Sequence, residues 1–239
     1  MLTHQDWETM STKNQELSRL AERGDDEALA KAVAACDWPG TNLADFDYYT
    51  RWCRDHWGVD FKPDQPPLSL VPHTGRILDV GFGYGFLLTA LARRTPPPAL
   101  YGIDSCELAI ELQQSRTPTA TLRVADCAQI PWPDGFFQTL IATEVVEHLA
   151  PAHAQRAYRE MGRVSAPDAQ LLLTTRINEN LGRSLMRCPH CRAVLHPAGH
   201  VRSFTKVLLL AELRIGGWHP RLVEESVGGI LVQCAKDSS

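Results

Sequence analysis

Two textures of apolar and polar positions divide the chain. Before Pro66-Pro67, Leu17, Leu20, Ala21, Leu29 and Ala32 fall at near-helical spacing, and Gly40 and Gly58 end segments, which predicts two or three helices. From residue 76 the texture becomes short apolar runs at 76–80, 100–103, 121–124, 139–142 and 170–174, separated by longer amphipathic stretches. Such alternation predicts a parallel sheet with helices on both faces. Residues 218–224 and 230–234 flank Ser226-Val227-Gly228-Gly229, a turn signal that predicts a closing antiparallel hairpin. No internal repeat is present, and Pro96-Pro97-Pro98 reads as a rigid loop.

Composition narrows the classes. The 239 residues are 44% hydrophobic and 22% charged, enough for one domain of substantial core with a smaller appendage. The net charge of −4 provides no overall basic field for non-specific nucleic-acid binding, so a small or neutral partner is favoured. That charge is unevenly spread: residues 1–70 carry −6 and residues 71–239 carry +2. Apolar runs such as 207–211 fall far short of the roughly 20 residues a spanning helix needs. The first ten residues contain Asp6 and Glu8 and no apolar stretch of signal-peptide type, so the expected location is cytoplasmic. Of seven cysteines, Cys36, Cys53, Cys106, Cys127 and Cys234 show no framework spacing and read as reduced thiols.

The strongest local signal is the strand Arg76-Ile77-Leu78-Asp79-Val80 running into Gly81-Phe82-Gly83-Tyr84-Gly85-Phe86 and then a helix. Glycines at alternate positions permit positive φ and remove Cβ, so a ligand can lie against backbone N–H groups at the helix start. The dinucleotide fingerprint needs a small third residue where Phe86 stands, which disfavours a pyrophosphate. Asp79, two residues before the first glycine, instead suits a cationic amino group. Asp104 ends the second strand, where a carboxylate accepts from ribose hydroxyls. Asp126-Cys127 follow the third strand, where an acceptor and a backbone N–H suit an adenine edge. Taken singly, each has a plainer alternative: a tight turn for the glycines, helix N-caps for Asp104 and Asp126.

Together, Ile77-Leu78-Asp79-Val80-Gly81-Phe82-Gly83-Tyr84-Gly85, Asp104, Ala125-Asp126-Cys127 and Glu144-Val145-Val146-Glu147-His148-Leu149 resemble the ordered motifs of class I S-adenosylmethionine-dependent methyltransferases, over roughly residues 70–235. The resemblance implies an α/β fold with a seven-stranded, mostly parallel sheet and a reversed last strand. It implies S-adenosylmethionine across the C-terminal edge, held by Asp79, Gly81, Phe82, Gly83, Gly85, Asp104, Ser105, Asp126, Cys127 and Thr143, with S-adenosylhomocysteine as product. Two positions depart from the family's pattern: Gln138 stands where an Asp is common, and Arg163-Val164-Ser165-Ala166-Pro167-Asp168-Ala169 replaces a basic-Pro-Gly-Gly turn.

Cys188-Pro189-His190-Cys191-Arg192-Ala193-Val194-Leu195-His196-Pro197-Ala198-Gly199-His200 reads C-x2-C-x4-H-x3-H. Two thiolates on one turn and two histidines four apart suit a tetrahedral zinc site at Cys188, Cys191, His196 and His200, with His190 able to replace a ligand. A full shell makes such zinc structural, stapling an insertion at 183–204 in the manner of a zinc knuckle. Other readings are free thiols, or a ligand that yields to a substrate thiol.

In the resembled family the acceptor pocket forms from segments after the fourth and fifth strands and from whatever precedes the core. Those are Glu144, Glu147 and His148, then Arg176 and Asn178, and the aromatic run Asp45-Phe46-Asp47-Tyr48-Tyr49-Thr50-Arg51-Trp52. His148 is the favoured base, since an ordinary imidazole titrates near neutrality, and the alternative is a structural Glu-His pair. Residues 1–70 are expected to act as a helical lid on residues 71–239. Arg176, Arg183, Arg187, Arg192, Arg202 and Lys206 surround the metal loop as a solvated face or an anion reader. The expected acceptor is a small molecule with oxygen first, then nitrogen, sulfur or carbon; RNA methylation and a non-catalytic cofactor-binding partner are the alternatives.

Overall fold

In a computed structural model the described residues are 2–39, 68–187 and 192–236. The aromatic run at 45–52, Gly40, Gly58, Cys53, Cys188, His190 and Cys191 therefore lie outside the described residues.

The amphipathic N-terminal stretch forms α1 (His4–Glu22) and α2 (Asp26–Ala35). Each starts at a residue whose side chain takes an otherwise unpaired amide: Thr3 accepts from Asp6 N in a capping box, and Asp25 accepts from Ala28 N. The core then alternates as its apolar runs predict: β1 (Arg76–Val80), α3 (Phe86–Ala92), β2 (Ala99–Asp104), α4 (Glu107–Arg116), β3 (Thr121–Val124), β4 (Phe137–Thr143), α5 (Pro151–Val164) and β5 (Ser165–Arg176). Two-residue strands β6 (Met186–Arg187) and β7 (Val194–Leu195) pair with each other, and α6 (Lys206–Ile215) leads to β8 (Trp218–Ser226) and β9 (Gly229–Lys236).

The main sheet has seven strands in the order β3-β2-β1-β4-β5-β9-β8. β1 to β5 are parallel, and β9 runs antiparallel to both β5 and β8, so the last strand is reversed and the hairpin at its tip is the predicted one. Chain order reverses direction between β1 and β4, which opens a crevice beyond their C-terminal ends.

Period-two alternation sends β1 side chains to two cores. Leu78 and Val80 join Leu140, Tyr158, Leu208, Leu209 and Trp218 on one face; Ile77 joins Leu87, Leu88, Leu91, Ile141 and Leu172 on the other. Leu17, Ala21, Leu29 and Val33 belong to the first of these cores. The described part of the N-terminal segment therefore builds the sheet's own core, where burying Leu29 and Val33 contributes about 1.5–3 kcal/mol each.

The two departures in motif have local explanations. Gln138 Oε1 accepts from the Arg76 amide at 2.8 Å, a backbone-holding role that an Asp side chain is one methylene too short to copy without movement. The stretch 163–169 is no turn: α5 ends at Val164, β5 starts at Ser165, and the extra residues are absorbed as an irregularity between Phe137↔Ser165 and Thr139↔Gln170.

Candidate functional site

The glycine loop joins β1 to α3 at the crevice, and its three glycines do different work. All have positive φ, at 66° for Gly81, 51° for Gly83 and 64° for Gly85. A Cβ on Gly81 would stand 2.8 Å from Val145 Cγ2, and one on Gly85 would stand 2.1 Å from the Gln113 carboxamide. Gly83 alone is exposed and would meet nothing within 4 Å. Gly81 and Gly85 thus admit protein side chains, and Gly83 faces open space. Phe82 is buried on the α3 and α4 side of the sheet, packed where a Cβ at Gly102 would come within 2.8 Å of its ring.

Three carboxylates stand at successive strand ends. Asp79 is 1% exposed, and its Oδ1 has no hydrogen-bond partner among the described residues. Burial first, and the charge of Asp104 second, hold its carboxyl well above the usual carboxylate range. A carboxylate so placed is stabilised by any cation that reaches it. Asp104 accepts from the Gly83 amide through Oδ2 at 2.8 Å and from the Cys106 amide through Oδ1 at 2.9 Å. It therefore ties the glycine loop to the second strand, and each oxygen keeps a lone pair for a ligand hydroxyl. Cys106, rather than Asp104, is the N-cap of α4, and no side chain caps that helix.

Asp126 carries a partner that motif reading misses. Its Oδ1 lies 2.7 Å from His153 Nε2 and accepts from the Ala128 amide at 2.8 Å; the bond from His153 holds the carboxyl down at about 2. Cys127 is pushed the other way, to about 12, by burial and by Asp126, so it is a thiol that leaves its backbone N–H as the useful group. Ser105 is exposed beside Asp104, and Thr143 ends β4 at the same edge. Asp79, Asp104, Asp126 and Thr143 thus stand at or just past the C-terminal ends of β1, β2, β3 and β4, with Gly83 tied to Asp104.

Across the switch point, the segment after β4 holds Glu144, Glu147 and His148. Glu144 has φ 53°, unusual for a side-chain-bearing residue. Its amide donates to Thr174 O at 3.0 Å and its Oε1 accepts from Thr174 Oγ1 at 2.9 Å, which fixes it at the edge over β5. Glu147 is fully buried and accepts from Thr175 Oγ1 at 2.8 Å, and burial followed by the Glu144 charge holds its carboxyl well above the usual range. His148 Nδ1 donates to Gly199 O at 3.1 Å, since a carbonyl can only accept. Burial, then the neighbouring His200, pull its imidazole down to about 3, so the expected near-neutral base is a neutral ring at pH 7. Of the three, Glu147 is fully buried, and Glu144 and His148 are half-buried.

The segment at 192–204 folds against these residues. His196 and His200 stack with ring centroids 4.9 Å apart, and both are buried. His200 Nδ1 lies 2.6 Å from Glu179 Oε2, and His196 Nε2 lies 3.7 Å from Glu179 Oε1. Glu179, just past β5, was invisible to motif spacing because it meets the imidazoles only through the fold. The basic set disperses: Arg202 is fully buried in an ion pair with Glu212, stacked on Phe204, and Lys206 pairs with Glu225 at 2.6 Å. Among the described residues no helix is long and apolar enough to cross a membrane.

Residues 77–168 match the family described as a methyltransferase domain. The chain is 30% identical over 106 residues to a ubiquinone/menaquinone biosynthesis C-methyltransferase of Geobacter sulfurreducens, covering 41% of each. It is 35% identical over 96 residues to a malonyl-[acyl-carrier protein] O-methyltransferase of the same organism, covering 39% of this chain and 35% of that one. The chain thus spans less than half the length of these curated relatives. Among solved structures, the 1,6-didemethyltoxoflavin-N1-methyltransferase of Burkholderia thailandensis, holding 1,6-didemethyltoxoflavin and S-adenosylhomocysteine, superposes with a TM-score of 0.64 at 16% identity, covering 81% of this chain and 86% of that one. That last likeness is one of fold.

Proposed function

We propose that this chain, which carries a class I methyltransferase domain, binds S-adenosylmethionine and methylates a small-molecule acceptor, with oxygen the first acceptor atom to test. The observation that carries the reading is the unpartnered, buried Asp79 Oδ1 beside the one open glycine, Gly83, and the diol acceptor Asp104. S-adenosylmethionine offers a cationic amino acid, a ribose diol and an adenine, in the order these strand ends can receive them. The curated relatives are a C-methyltransferase and an O-methyltransferase, so the acceptor atom is set by groups outside the shared fold.

When bound, the cofactor supplies a methyl group already activated on a sulfonium, so the protein's work is alignment and proton handling. Asp79 holds the cation, and Asp104 holds the ribose while bracing the Gly83 amide. Asp126, kept ionised by His153, and the Cys127 amide meet the adenine edge. Glu144, at the edge of β4, is the group proposed to orient the acceptor and take its proton. His148 and Glu147 frame the segment that presents Glu144, a role suited to a neutral ring and a fully buried carboxyl. Zinc on the set Cys188, Cys191, His196 and His200 belongs to the same reading, supported by the adjacency of the two buried imidazoles.

The test is transfer of labelled methyl groups from S-adenosylmethionine to small-molecule fractions of a cell extract. Transfer is expected in wild type, and Glu144→Gln should lower kcat by about 10²–10⁴-fold with cofactor affinity kept. Label that enters only RNA, or none under any acceptor supply, would overturn the small-molecule assignment.

A further inference from the structure

The segment at 192–204 presents a cluster that methyl transfer does not use. Its only described regular structure is the two-residue strand β7, too little to hold itself in place. Yet it turns His196 and His200, 4% and 7% exposed, toward the carboxylate of Glu179. His196 Nε2 is buried without a hydrogen-bond partner among the described residues. An imidazole nitrogen left so in a protein interior costs about 1–3 kcal/mol. One oxygen of Glu179 stands at each ring: 2.6 Å from His200 Nδ1 and 3.7 Å from His196 Nε2. The donor atoms of the three residues all lie within 4.8 Å of one another.

We propose that Glu179, His196 and His200 form one centre for a divalent transition cation, with zinc its chemical class, at the acceptor end of the sheet. Two imidazoles and a carboxylate are the donor types that suit zinc, and the carboxylate's charge offsets half of the ion's. The inference rests on the reading that this segment binds zinc. It goes beyond that reading by making Glu179 a member of the centre and by naming what the ion ties together. Glu179 follows the end of β5, and His196 and His200 lie in the loop before α6. An ion between them cross-links the two strands of chain that already meet through Asn178 N to Phe204 O at 2.7 Å and Glu179 N to Ser203 Oγ at 2.9 Å.

The cross-link bears on the acceptor side. The Val201 and Arg202 amides both donate to Glu147 O, at 2.9 and 3.3 Å, and Gly199 O holds His148 Nδ1 at 3.1 Å. The His148 and His200 rings meet edge to face with centroids 5.0 Å apart. The loop that carries two of the metal donors is therefore the backing of the segment that presents Glu144. The cofactor groups Asp79, Gly83 and Asp104 take no hydrogen bond from it among those described. Removing the ion should loosen the acceptor side and spare the cofactor.

The experiment is metal analysis of the 239-residue chain, then Zn²⁺ titration of the chelator-treated protein against a competing chelator, in wild type, Glu179→Gln, His196→Gln and His200→Gln. About one zinc per chain is expected in wild type, a 10–100-fold loss of affinity in Glu179→Gln, and a larger loss in either histidine variant. Calorimetric titration of the zinc-free wild type with S-adenosylmethionine should give an affinity within about three-fold of the zinc-loaded value. A wild-type chain that takes up no zinc defeats the zinc reading and this inference with it. Tight zinc binding that Glu179→Gln leaves unchanged defeats the inference alone, and loss of S-adenosylmethionine binding on zinc removal overturns the assignment of the ion to the acceptor side.

Discussion

Alanine at Gly83 and alanine at Gly85 should fail in opposite ways, although both glycines lie in one loop at positive φ. At Gly85 the added methyl would stand 2.1 Å from the carboxamide of Gln113, a fully buried side chain whose Nε2 donates to Thr89 Oγ1 at 3.1 Å and to Thr117 Oγ1 at 2.8 Å. The left-handed backbone costs an alanine about 1–2 kcal/mol. Forcing Gln113 aside costs about 1–3 kcal/mol more, and its two hydrogen bonds are worth about 1 kcal/mol each. A total of about 5–6 kcal/mol lowers Tm by about 15 °C in a chain of this size. At Gly83 only the backbone cost applies, because nothing stands within 4 Å of the new methyl, so Tm falls by about 4 °C. The methyl at Gly83 instead occupies the open face of the loop, and S-adenosylmethionine affinity should fall at least about ten-fold, against less than about three-fold for the folded Gly85→Ala protein. Differential scanning calorimetry and calorimetric titration on the two variants read both quantities. Equal stability losses, or a Gly83→Ala protein that binds like wild type, would refute the division of roles.

Other residues give equally direct tests. Asp79→Asn should raise the Tm of the ligand-free protein at pH 7 and weaken S-adenosylmethionine binding, because it removes a buried carboxylate whose Oδ1 has no partner among the described residues. The folded-state pKa of Asp79 lies above its unfolded value, so the group's contribution is best near or below pH 4 and declines as pH rises through the folded value; scanning calorimetry should show that decline in wild type and not in the variant. Arg202→Met should cost about 3–5 kcal/mol by stranding the fully buried Glu212, and adding Glu212→Leu should recover most of it, as read by urea midpoints; a double variant no better than the single one contradicts a pairwise account.

How far the site was legible depends on whether a residue's role is local. Strand ends are local: an apolar run followed by Asp104 or Asp126 puts a carboxylate at the sheet edge whatever lies around it, and the hairpin at Val227-Gly228 declares itself by its turn. Partners across the fold are not. Gln113 explains Gly85, His153 holds Asp126 and Glu179 meets two histidines, but each pair is made by helices or loops arriving from distant parts of the chain. No fixed spacing encodes them. The apolar run at 170–174 marks only part of β5, because Pro167 and Asp168 sit on an exposed bulge of the strand, where neither disturbs its buried side. The helical periodicity of α1 and α2 marked an apolar face without saying that the sheet would cover it. His148 illustrates the same limit in chemistry: its motif suggests a base, and burial makes it a neutral ring.

Calorimetric titration of the purified chain with S-adenosylmethionine, S-adenosylhomocysteine and NAD, repeated on Asp104→Ala, tests the crevice most directly. The prediction is saturable binding of the first two, none of NAD, and an affinity at least about ten-fold weaker in the variant, which loses the acceptor for the ribose and for the Gly83 amide. Binding of NAD without binding of the sulfonium, or an Asp104→Ala protein that binds S-adenosylmethionine unchanged, would contradict the assignment of this crevice.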